Sequence, residues 1–300
     1  MGWATLSLVT RRLSWPARVF LILAAAYCFT FFIALHARAT DAFFQFLWPI
    51  SPPTAAFVGA WFGAMAVALF LGALMPGWAE VRSLVAGLAV GAAFLILAAL
   101  VDEEFREDEF VLGITWYVGL LAILILGSIV ALYQELLVEP VEAVEEFANL
   151  WLRRAFLVLA MMIWFFGLLL TIAPGVLEPR WPWRCLFPGD CIGALPERDM
   201  VAIGAVLLGT ALSYGWAAVD GGRRAMNLAA VFGFLAGSIS MYGMFRYSEY
   251  VDESYWSWLG IFCFQLAIIL LSLTALALNW WEGRRDYADV EAPSPAGAES

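Results

Sequence analysis

The sequence predicts an all-α, polytopic membrane protein with eight transmembrane helices arranged as two tandem four-helix repeats and both termini cytoplasmic. Three observations lead there. The 300 residues are 63% hydrophobic and 14% charged, whereas soluble domains run near half apolar and about a quarter charged. The charges gather between apolar runs, each long enough to cross a bilayer core of about 30 Å, which takes about 20 residues. Several of these runs recur in the same order in the two halves of the chain.

The runs lie at about 17–36, 54–75, 83–101, 111–133, 155–174, 200–219, 226–245 and 256–281. All 16 basic residues are arginine. With the N-terminus inside, inner segments hold Arg11, Arg12, Arg18, Arg82, Arg153, Arg154, Arg223, Arg224, Arg284 and Arg285. Outer segments hold only Arg38, Arg106, Arg180, Arg184, Arg198 and Arg246. That excess follows the positive-inside rule, and the expected address is a bacterial inner membrane. Tryptophans form a belt on each side: Trp15, Trp78, Trp151 and Trp280 inside, Trp48, Trp181 and Trp256 outside. Trp61, Trp116 and Trp164 fall deeper and call for a packing or ligand role. Arg11-Arg12 before the first run and Ala37-Arg38-Ala39 after it resemble a signal peptide. The length of the run and its counterpart in the second half favour a retained helix.

The first repeat is expected over 1–137 and the second over 154–283. Arg18-Val-Phe-Leu-Ile-Leu-Ala opening the first span matches Arg154-Ala-Phe-Leu-Val-Leu-Ala opening the fifth. Trp78 before Arg82 matches Trp216 before Arg223, and Val101-Asp102-Glu103 matches Val251-Asp252-Glu253. Leu121-Ala122-Ile123-Leu124 in the fourth span matches Leu266-Ala267-Ile268-Ile269 in the eighth. An even number of spans per unit gives both the same orientation, as in the parallel repeats of some transporters.

A cytoplasmic amphipathic linker is expected over 138–153. Pro140 can open a helix. Val141, Val144, Ala148 and Trp151 would lie on one face, with Glu142, Glu145, Glu146 and Asn149 opposite. Its carboxylates suit a protein contact or solvent better than lipid. The tail, 284–300, contains Pro293, Pro295 and scattered acids and is expected to be disordered.

Function is narrowed mostly by exclusion. One histidine and no lysine remove Schiff-base lysine chemistry, bis-histidine haem and multi-histidine metal sites. No P-loop or nucleophile elbow is present. No Asp, Glu, Arg or His occupies the centre of a span, which argues against proton-coupled transport. Polar span residues such as Tyr27, Thr210, Ser213 and Asn227 are expected to bond between helices or back onto their own. A sharper alternative places Gln265, Ser238 and Ser240 around a polar pocket. Gly59/Gly63, Gly87/Gly91 and Gly233/Gly237 form G-x-x-x-G pairs, which allow close helix approach within the chain or to a partner.

Outside the membrane, Asp102, Glu103, Glu104, Glu107, Asp108 and Glu109 could contact a basic partner or a cation, or form a solvated acidic loop. Cys185 and Cys191 share the longest outer loop and are predicted to form a disulfide, while Cys28 and Cys263 are apolar span residues. His36 is expected to be structural or interfacial; an axial-ligand role is the minor reading. No cofactor, metal or nucleic-acid partner is expected.

The leading expectation is a non-catalytic membrane subunit that packs against or helps assemble a larger complex, with the bilayer and other membrane subunits as partners. The alternative is a transporter or channel for a neutral or apolar solute, with its path between the repeats. An interfacial lipid enzyme ranks last.

Overall fold

The computed structural model describes residues 8–39, 50–101, 110–143, 147–177, 195–248 and 256–291. Helix α1 (Trp15–Phe32) starts at Ser14, whose Oγ accepts the Ala17 N–H, with Pro16 in the first turn, and it continues into a π-helical turn, Ile33–Ala37. Helix α2 (Pro52–Ala73) starts by the same device, with Ser51 as cap and Pro52 and Pro53 following. Then come α3 (Arg82–Val101), α4 (Phe110–Leu136), α5 (Leu150–Ile172, capped by Asn149) and the short α6 (Pro174–Leu177). Helices α7 (Leu195–Asp220), α8 (Arg223–Arg246) and α9 (Trp256–Glu291) complete the bundle. Eight of these helices are long and apolar enough to cross a membrane, and they carry the eight runs read from the sequence.

Packing follows a regular pairing. Helix α1 lies along α2, and α5 along α7; α3 meets α4, and α8 meets α9. The two halves of the chain join where α3 packs on α7 and α2 on α8. In α2 and α7, 83% and 78% of the spanning window is buried, against 17% in α4 and 22% in α9. The first pair therefore forms the centre, and the second presents its leucine and isoleucine side chains outward. Between α7 and α8 the chain turns at Gly221, whose φ of 73° is open to glycine without strain.

Two elements depart from expectation. The linker does not begin as a helix at Pro140: Pro140–Ala143 is a strand, β2, paired antiparallel with β1 (Leu8–Arg11), Leu8 opposite Ala143 and Arg11 opposite Pro140. The amphipathic spacing lost to a partner strand that lies far away in sequence. Proline is tolerated there because it opens an outer strand. The second departure is α9, which runs to Glu291, so residues 284–291 are helical instead of disordered. Nothing in Arg284–Glu291 breaks a helix. The first such residue is Pro293, which also disfavours helical geometry just before itself.

Candidate functional site

The interface joining the halves is the most elaborate polar and glycine-rich feature of the bundle, and it is held at three depths. At mid-depth, α3 and α7 touch backbone to backbone. A Cβ on Gly209 would meet the Gly87 carbonyl oxygen at 2.5 Å, Trp61 at 3.0 Å and the Gly91 Cα at 3.2 Å. Beside this contact the Trp61 indole N–H donates to Thr210 Oγ1 at 2.8 Å, and Thr210 donates back to the Val206 carbonyl at 2.9 Å. Both partners are buried and fully satisfied. Thr210→Val keeps the shape and strands the indole, and is expected to lower stability by about 1 kcal/mol in a detergent melt.

Among the described residues, most charge contacts lie at the arginine-rich end. Arg82, opening α3, pairs with Asp220 at the end of α7 (2.6 Å) and with Glu135 at the end of α4 (3.5 Å). Glu135 also accepts from Arg11 (2.7 Å) and from the Trp78 indole (2.8 Å). Arg224, opening α8, reaches Glu80 beyond α2 at 3.1 Å, and its neighbour Arg223 lies 3.8 Å from Glu282 of α9. Two arginines serve as helix C-caps, since cations and donors favour the carbonyl end of a helix. Arg18 donates to the carbonyls of Ala73 and Met75, and Arg153 to those of Ala218 and Val219.

At the opposite end, Asp199 in the first turns of α7 is fully buried against the N-terminus of α2. Its carboxylate accepts the Ser51 N–H at 3.0 Å and a short bond from Ser51 Oγ. A carboxylate there faces the positive end of the α2 dipole. His36 sits in the π-helical turn, 5% exposed; its Nδ1–H donates to the Ala56 carbonyl at 2.9 Å, and its ring stacks on Phe32 at 5.2 Å. Gly59 makes room for it: a Cβ there would meet the His36 backbone N at 2.6 Å.

Each of the three G-x-x-x-G pairs faces a neighbour within the chain: Gly59/Gly63 the end of α1, Gly87/Gly91 mainly α7 and Trp61, Gly233/Gly237 the Tyr214 hydroxyl of α7 and Ser272 and Ile269 of α9. Several span hydroxyls bond back onto their own helix, Ser128 to Leu124 and Thr274 to Leu270 among them, while Tyr27 bonds across to the Trp116 carbonyl. Gln265 and Ser240 are buried near the α8–α9 contact. Of the deep tryptophans, Trp61 is core, Trp116 packs edge-on against Phe31, and Trp164 is 37% exposed. Asp102, Glu103, Glu104, Glu107, Asp108, Glu109, Cys185 and Cys191 lie outside the described residues. Among the described residues there is no disulfide, and Cys28 and Cys263 are free thiols.

The sequence reading missed Asp199, Gln134 and the Glu80–Arg224 pair. Gln134 is buried, accepts the Ser14 N–H and donates to the Arg12 carbonyl, stitching α4 to the start of α1. Each stands at a span end, where polar residues read as loop flanks; only the fold shows Asp199, Gln134 and Glu80 buried, with Arg224 reaching Glu80 from an exposed position. Among the described residues, no three His, Cys, Asp or Glu side chains gather into a metal-holding group. No family model, curated protein or solved structure matches the chain.

Proposed function

We propose that the protein is a non-catalytic integral membrane subunit that packs against, or helps assemble, a larger membrane complex. The observation that carries this reading is the closed interface between the halves. Cross-links at both ends and in the middle, around a backbone contact that admits no side chain, suit a rigid scaffold. A solute path between the halves would have to part Gly87 from Gly209 and break Trp61–Thr210, Arg82–Asp220 and Ser51–Asp199 together. The apolar outer faces of α4 and α9 are the surfaces such a subunit would offer to lipid and neighbours.

The same reading takes the chain as two tandem four-helix repeats. Exchanging α1, α2, α3 and α4 for α5, α7, α8 and α9 maps the principal helix pairs onto one another, though the lesser α1–α4 contact has no such counterpart between α5 and α9. Arg18 and Arg153 make matching C-caps, and Arg12–Gly77 and Phe147–Gly222 make matching backbone bridges. Each of these supports duplication with parallel orientation. We place the arginine-rich end in the cytoplasm of a bacterial cell, following the positive-inside rule, and assign the acidic run 102–109 to the outer face as a partner contact.

Solubilisation from native membranes in mild detergent, followed by mass spectrometry, is expected to retain at least one stoichiometric protein partner. A clean monomer that supports solute flux in liposomes would overturn the reading in favour of transport. Orientation is checked by single thiols engineered within 102–109, which are expected to react with a membrane-impermeant reagent from outside intact cells.

A further inference from the structure

Between α5 and α7 the outer surface opens into a groove of about 540 Å³. Leu157, Met161 and Trp164 of α5 and Trp216 of α7 wall it, and small residues floor it: buried Ala160, and Gly215, whose missing Cβ would meet, among the described residues, only the Ala160 methyl at 3.6 Å. The lining offers almost no polar surface. At the arginine-rich end the same α5 face continues to Arg154, since positions 154, 157, 161 and 164 follow helical spacing. Arg154 is exposed and makes no hydrogen bond or ion pair with the described residues. Its neighbour Arg153 is committed to the end of α7. A free guanidinium therefore stands at the mouth of an apolar trench.

The dimensions restrict the occupant. From Arg154 to Trp164 the helix advances about 15 Å, half of a bilayer core of about 30 Å. One leaflet of lipid has that depth. Guanidinium groups bind phosphate through paired hydrogen bonds, and basic sites between helices at a membrane surface recruit anionic headgroups. We propose that the α5–α7 groove binds an anionic phospholipid of the leaflet at the arginine-rich end, its acyl chain between the helices and its phosphate on Arg154.

The other half of the chain lacks the site. The structure sets the correspondence one residue off the sequence match of Arg18 with Arg154: Arg18 caps α2 as Arg153 caps α7, and Ser14 opens α1 as Asn149 opens α5. Val19 therefore stands where Arg154 does, and Phe70, three residues before Ala73, stands where Gly215 stands before Ala218. A bulky ring occupies the floor position, and no cation occupies the mouth. This comparison draws on the duplication proposed above, whereas the groove and Arg154 stand without it.

The test uses the full-length protein, delipidated in mild detergent and titrated with phosphatidylglycerol or phosphatidylcholine of identical chains under native mass spectrometry. The first phosphatidylglycerol is expected to bind at least about tenfold more tightly than phosphatidylcholine. Arg154→Gln is expected to bring the two together, and Gly215→Leu to remove the tight first adduct of either lipid. Val219→Trp, which fills the groove from its exposed rim, is expected to do the same and decides the matter if Gly215→Leu fails to fold. An unchanged lipid preference in Arg154→Gln, or a retained tight adduct in a folded filling variant, would overturn the proposal. So would photocrosslinking from position 161 to a protein instead of lipid.

Discussion

Gly209→Leu is expected to prevent assembly of the bundle, and Gly209→Ala to lower its stability by about 2 kcal/mol or more. The reason lies in what surrounds the missing side chain. The nearest atom is a backbone carbonyl, that of Gly87 at 2.5 Å from an ideal Cβ, and the next two belong to the buried Trp61 and to the backbone of Gly91. A flexible side chain could swing aside, but two helix backbones can only move apart. Separation would loosen the α3–α7 contact along its length and lengthen the adjacent Trp61–Thr210 bond. Thermal unfolding in detergent, read with size-exclusion behaviour, measures this. Gly260→Ala is the matched control: nothing among the described residues lies within 4 Å of its Cβ position in α9. There the usual advantage of alanine in a helix, up to about 1 kcal/mol, should appear unopposed. If Gly209→Ala melts like the wild type, backbone contact at that glycine does not set the spacing of α3 and α7.

Asp199→Ala is expected to cost about 3 kcal/mol, because it leaves the Ser51 N–H and hydroxyl buried at the α2 N-terminus without this acceptor. Asp199→Asn keeps an acceptor oxygen and should cost clearly less. Ser51→Ala removes the shorter of the two bonds and leaves the carboxylate buried with poorer compensation. The double variant Ser51→Ala/Asp199→Ala should then lose less than the sum of the two single losses, since both act on one contact. Strict additivity in a double-mutant cycle would mean that Asp199 stabilises α7 by some means other than α2.

Much of the architecture was legible in the sequence because a bilayer imposes a local rule. Each span must be apolar over about 20 residues, so length and composition reveal the helices one at a time. Departures arise wherever the deciding partner is remote. Pro140–Ala143 carries a helical spacing of apolar and acidic residues, and only pairing with Leu8–Arg11 makes it a strand. Asp199 follows Arg198 and reads as the rim of a loop; what buries it is Ser51, from the other half of the chain. The small-residue pairs were visible, and their partners were not: nothing in the Gly87/Gly91 spacing names α7. The groove at Gly215 gave no signal, since a single glycine in an apolar helix is unremarkable until the facing residue is known to be Ala160.

The strand pair β1–β2 and the division of contacts between the halves have a consequence for synthesis. The ribbon joins residues just before α1 to residues just after α4, so the first four helices can be fastened together before α5 leaves the ribosome. Yet α2, the most buried span, packs on α8 as well as on α1, and α3 finds its principal partner in α7. A tethered but incomplete quartet must therefore wait in the bilayer with its Gly87/Gly91 face uncovered, and maturation ends when the late-arriving α7 and α8 slot against it. Translation speed from the end of α4 through α8 would set the length of that wait.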